Sequence, residues 1–268
     1  MELFEMGRLL HSTAGIVALA SFWVAALAHK GGAKHRRAGR VYLASLLAVM
    51  TLSSLMVAGK AVSGDPGIAI FLAFLISMVG TASWLMWFSI RRRREPEALT
   101  GGVYRGLASW LMLAGGSLFV LGASRGLPLT MFLSLLGVGF GAHMWRLALA
   151  PARDGRWWLA HHMNGAMLNF IATHDSFLAL GVGTVVPALR QGLPRMLVAV
   201  TVTILGLSLR VWMARRPVGA SDSTTPSEAA ARTGPVPAGG PPARSASRGG
   251  GRSRPLPRVA GPRPDRTR

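Results

Sequence analysis

The chemistry open to this sequence rests on seven histidines, because cysteine is absent and only 10 acidic residues stand against 30 Lys and Arg. A neutral imidazole offers one donor and one acceptor nitrogen, exchanges a proton near neutral pH, and ligates iron and other transition metals. His11 opens an apolar run. His29 and His35 flank the basic stretch HKGGAKHRRAGRVY. His143 lies inside a second run, and His161, His162 and His174 share a third. Asp175 is the one acidic residue well inside a run. No GxxxxGK[ST], HExxH or nucleophile-elbow pattern occurs, so no nucleotide-phosphate, zinc-hydrolase or serine-hydrolase site is marked and no catalytic role is assigned.

Spacing limits what the histidines can do together. Two haems held by one helix need ligands on one face. From His161 or His162 to His174 the steps of 13 and 12 residues turn about 220° and 120°, so neither pair shares a face. A single b-type haem between helices stays open, with His143 paired to His162 or His35. A second pattern is a polar stripe: His162, Asn169, Thr173 and Ser176 fall within about 60° of one another on a helical wheel. Gly165 and Ala172 lie beside it, as small residues do at close helix contacts. The stripe either lines a ligand or proton path or serves as interhelical hydrogen-bonding; His174 and Asp175 point elsewhere. For His29 and His161, the reading is an interfacial side chain meeting headgroups.

The elements that position these groups are apolar. Half of the 268 residues are hydrophobic and only 15% are charged, which is too few charges for an ordinary soluble domain. A bilayer core of about 30 Å needs about 20 apolar residues per helix. Runs at 9–28, 41–59, 67–90, 106–124, 127–150, 165–189 and 196–214 meet or approach this, and none alternates as a barrel strand would. The expected fold is all-α: a polytopic transmembrane bundle of about seven spans over residues 1–216. Residues 217–268, rich in Pro, Gly, Ser and Arg, are expected to be a disordered basic tail.

Charge sets the expected orientation. Lys30, Lys34, Arg36, Arg37 and Arg40 follow the first run, Arg91 to Arg94 the third, Arg153 and Arg156 the fifth, and Arg215 and Arg216 the seventh. The other connectors are sparse in charge. Lys and Arg stay on the cytoplasmic side, which predicts an outside N-terminus and a cytoplasmic C-terminus in an inner membrane. On this reading the 29–42 stretch is a short cytoplasmic turn, and the inner loops and tail meet anionic lipid headgroups. A cleavable leader at 9–28 is disfavoured, because Glu2 and Glu5 precede the run and the basic cluster follows it. The net charge of +20 does not imply nucleic acid, since the basic tail lacks interleaved aromatics. Oligomeric state is not legible.

Three stretches together resemble a family of bacterial multi-pass membrane proteins of unknown function: His11 with Gly15, KGGAKHRRAGRVYLASL at 30–46, and HHMNGAMLNFIA at 161–172. The family signature is a His-Arg-x-x-Gly-Arg-x-Tyr loop between its first two helices, matched here by His35 to Tyr42. The resemblance implies a bacterial inner membrane and weights His11, His35, Arg36, Gly39, Arg40 and His162. Phe170 stands where that family commonly has Tyr, and it supplies no activity. The site expected from all of this takes His11, His35, Arg36, Arg40, His162 and Asn169 as ligand-binding residues, with haem b on His143 and His162 as the alternative.

Overall fold

The structure is a computed structural model that describes residues 2–150 and 157–215. The expected tail at 217–268 lies outside the described residues, as do Arg153 and Arg156. Eight helices and no strand occur among the described residues: α1 Glu2–Leu27, α2 Ala33–Val62, α3 Pro66–Arg91, the single turn α4 Pro96–Leu99, α5 Gly102–Ser124, α6 Pro128–Leu149, α7 Trp157–Ser176 and α8 Gly192–Arg215. Six of them (α1, α2, α3, α5, α6 and α8) are long and apolar enough to cross a membrane. The protein is therefore a helical, multi-pass, membrane-embedded bundle.

Two segments differ from expectation. The 29–42 stretch is not mainly a turn. The chain reverses in about five residues around Gly31, whose φ of 76° is the left-handed region where a side chain would be strained, and α2 begins at Ala33. Lys34, Arg36, Arg37 and Arg40 thus occupy the first turns of α2, with no acidic residue beside them in the first turn. Cations there oppose the helix dipole, so their placement has to be compensated from outside the helix.

The sixth run, expected at 165–189, is displaced. Its regular helix starts at Trp157 and ends at Ser176, then continues as a π turn, Phe177–Gly181, and two 3₁₀ turns, Val182–Thr184 and Pro187–Arg190. Hydropathy misplaced it because His161, His162 and Asn164 read as a polar boundary. In the fold those residues are packed against other helices, and His161 and Asn164 are buried.

α7 packs against α1, α3 and α8, while α5 and α6 form an antiparallel pair. Glycines set the close approaches. A Cβ at Gly165 of α7 would fall 2.6 Å from the Ala82 carbonyl oxygen of α3, and one at Gly141 of α6 would fall 2.6 Å from the Ala108 carbonyl of α5. Without a hydrophobic force between helices in lipid, such backbone proximity supplies the dispersion contact that holds them.

Candidate functional site: the polar faces of α7

α7 carries eight buried residues in twenty, four of them polar or ionisable: His161, Asn164, Asn169 and Asp175. Its polar groups divide by direction, and each direction meets a different helix.

Toward α3 and the α1–α2 turn lies the stripe expected from the sequence. His162 Nδ1 is 3.0 Å from the Met86 carbonyl oxygen. A carbonyl only accepts, so Nδ1 carries the proton and Nε2 keeps its lone pair. His35 repeats this arrangement: Nδ1 donates to the Ala25 carbonyl at 2.9 Å, again leaving Nε2 unspent. His35 and Lys30 are close enough to His162 to act on it electrostatically. The Lys30 ammonium donates to the carbonyls of Ala25 and Ala26 at the end of α1, and partial desolvation lowers its pKa from the ordinary lysine value. A histidine whose Nδ1–H is held by a backbone carbonyl is oriented to present Nε2 to a ligand.

Two turns further along, Asn169 donates Nδ2 to Ser83 Oγ at 3.0 Å and approaches Met86 Sδ at 3.4 Å. Its Oδ1 has no partner, although the residue is fully buried. The Tyr42 hydroxyl of α2, 1% exposed, lies by Thr173 yet makes no regular hydrogen bond. Thr173 itself bonds back to the Asn169 carbonyl at 2.8 Å. Buried polar atoms without partners are rare and ask for a reason, often a water or a ligand. The stripe ends at Ser176, which is exposed.

Toward α5, α6 and α8 lies a network that the sequence did not disclose. His161 Nδ1 is 3.2 Å from the buried Tyr104 hydroxyl, and its ring packs edge-on against Trp157. The expectation that His161 meets headgroups is corrected: it is 4% exposed. Asn164 links His143 of α6, at 2.9 Å from Nε2, to Arg210 of α8, whose Nε donates to Oδ1 at 2.8 Å. Asn164 stands three residues after His161 and so shares its face; that spacing is the signal by which it could have been found.

Toward α1, the Trp23 indole donates to His174 Nε2 at 3.0 Å, and His174 Nδ1 donates to the Phe170 carbonyl at 2.9 Å. Both nitrogens are spent and the ring is neutral. Toward α8, Asp175 takes both guanidinium nitrogens of Arg195, at 2.7 and 2.6 Å, in a largely buried bidentate pair.

The expected site residues are thus brought together only in part. His35 lies within electrostatic reach of His162, and Asn169 continues the His162 stripe along α7. His11 sits apart, with Nδ1 3.2 Å from Ser53 Oγ on α2. Arg36 closes the turn by donating to the Gly31 carbonyl, and Arg40 is exposed without a partner among the described residues. His143 and His162 face different helices, and both His143 nitrogens are engaged. Comparison of the chain with protein-family models, with curated proteins and with solved structures finds no match.

Proposed function

We propose that this chain is a seven-span bacterial inner-membrane protein that binds a small hydrogen-bonding solute in the stripe between α2, α3 and α7. α7 is counted as the seventh span because it continues through the π turn and lies against three helices that are themselves apolar spans. The N-terminus is outside and the C-terminus cytoplasmic, in accord with the basic α1–α2, α3–α5 and post-α8 connectors and with the loop resemblance. The solute enters near His35 and His162 on the cytoplasmic side.

The observation that carries this reading is the set of groups left without a hydrogen-bond partner among the described residues on or near one stripe: Nε2 of His35 and His162, Oδ1 of Asn169 and the Tyr42 hydroxyl. Three are acceptors and the fourth both donates and accepts, which suits a solute rich in N–H or O–H groups. The test is thermal unfolding of the detergent-purified protein against short polyols, primary amines, first-row divalent cations and haemin, repeated with His162→Phe and Asn169→Leu. One class should raise the wild-type midpoint and leave both variants unmoved. Identical responses from wild type and variants across the panel would defeat the reading.

A b-type haem is the second reading, and the same Nε2 atoms favour it. The ligands it would use are His35 and His162 rather than His143 and His162. The α3–α7 contact at Gly165 is too close for a macrocycle, so the group would have to lie on the α2 side of His162. An absorption spectrum after expression with ample haem separates the two: a Soret band lost in His35→Ala favours haem, and a colourless protein removes it.

A further inference from the structure

We infer that His143, Arg146, Asn164 and Arg210, where α6, α7 and α8 meet, form a binding site for a phosphate-type anion, distinct from the stripe. Arg210 Nε–H occupies Asn164 Oδ1 at 2.8 Å, which turns the Asn164 amide nitrogen toward His143 Nε2 at 2.9 Å. That contact requires a lone pair on Nε2, so a neutral His143 carries its proton on Nδ1. Yet Arg146, which can only donate, lies 3.1 Å from Nδ1.

Turning the amide over does not help. It would give an Nε2–H an acceptor and free Nδ1 to accept from Arg146, but it would set the Asn164 amide hydrogens against Arg210. Protonating His143 adds a further donor. Every assignment leaves one donor facing another, so among the described residues the cluster is short by one acceptor. It also holds two guanidinium groups, and neither has a carboxylate partner among the described residues. His161, electrostatically close to His143, brings no negative charge.

An anion supplies what is missing. One oxygen accepting from Arg146 draws that guanidinium off Nδ1, and a second accepts the Nδ1–H so released. Arg210 and Asn164 keep their present bond. Phosphate oxygens match guanidinium geometry better than a halide does. Arg146 lies in the last turn of α6 and Arg210 about 8 Å from the end of α8, the depth of headgroups rather than of acyl chains. Leu149, Leu207 and Val211 around it are 72%, 48% and 50% exposed, which offers apolar surface to the chains of a lipid. The shared chemistry is a tetrahedral phosphate oxyanion; a lipid and a free phosphate differ in the test.

The experiment is native mass spectrometry of the detergent-solubilised full chain titrated with phosphatidylglycerol, phosphatidylcholine or inorganic phosphate. The wild type should take up phosphatidylglycerol in preference to phosphatidylcholine. Arg146→Gln should weaken that uptake about tenfold, the loss of one charge-assisted hydrogen bond. Arg37→Gln, which removes an exposed cation from α2, should leave it unchanged and so separates a site from diffuse attraction. Competition by inorganic phosphate below millimolar concentration assigns the site to the free anion; its absence assigns it to the lipid. Equal losses in both variants, or no preference over phosphatidylcholine together with no phosphate uptake, would overturn the proposal. Arg146 is exposed, so its replacement tests binding without testing the fold.

Discussion

Replacing Gly165 by alanine should damage this protein in a way that replacing Gly116 does not. A methyl at Gly165 meets the Ala82 carbonyl oxygen at 2.6 Å, Met86 Cγ at 2.9 Å and the Met86 nitrogen at 3.1 Å, while ordinary contact begins at 3.4 Å. Two of those three atoms are backbone, so α3 and α7 must separate by up to 0.8 Å at this level. Overpacking of this kind costs about 1–3 kcal/mol, against a helix-propensity gain of about 1 kcal/mol for alanine over glycine. The net expectation is a loss of up to roughly 2 kcal/mol. The separation also acts on the site, because Met86 carries the carbonyl that holds His162 at 3.0 Å. Moved by most of an ångström, that bond passes out of hydrogen-bond range and His162 loses its fixed orientation. Gly116 in α5 has nothing within 4 Å of its would-be Cβ. Gly116→Ala should therefore be neutral or stabilising. The assay is reversible unfolding in mixed micelles of increasing SDS content, followed by tryptophan fluorescence. Equal midpoints for the two variants would refute the close α3–α7 approach.

Further outcomes follow from other contacts. Asp175→Asn should cost about 3–5 kcal/mol by stranding the buried Arg195, whereas Asp175→Leu combined with Arg195→Met should recover most of it; a single variant as stable as wild type would contradict the pairing. Trp23→Phe should cost about 1 kcal/mol and leave His174 Nε2 without its donor, which ¹⁵N shifts of labelled histidine would register. Since the chain has no cysteine, Ser63→Cys and Ala98→Cys can report orientation. Both positions are exposed, and an impermeant maleimide added to intact cells should label the first alone.

The apolar spans were legible because hydropathy is a local property that burial in lipid does not reverse. α3, α5, α6 and α8 lie close to the runs read for them, while α1 and α2 begin well before theirs because polar first turns precede the apolar stretch. α7 was read eight residues late, since the cost of a buried His161 or Asn164 is offset by partners on α5, α6 and α8 that no local window contains. The stripe of His162, Asn169 and Thr173 was legible from helical phase alone. Its meaning was not, because Nε2 of His162 is left unspent by a carbonyl 76 residues away in sequence. Likewise the directions of His174 and Asp175 away from the stripe were readable, but Trp23 and Arg195 as their partners were not. The basic 29–42 stretch was misassigned as a turn, since loop-like charge density conceals helix at a membrane surface.

The most direct test of the account is the protonation of two imidazoles. With ¹⁵N-histidine in the protein, and His35→Gln and His162→Gln for assignment, both residues should show a protonated Nδ1 and an unprotonated Nε2 that shifts when the stripe is occupied. Nε2–H tautomers at both positions, unmoved by any solute that stabilises the protein, would contradict the site on which the account rests.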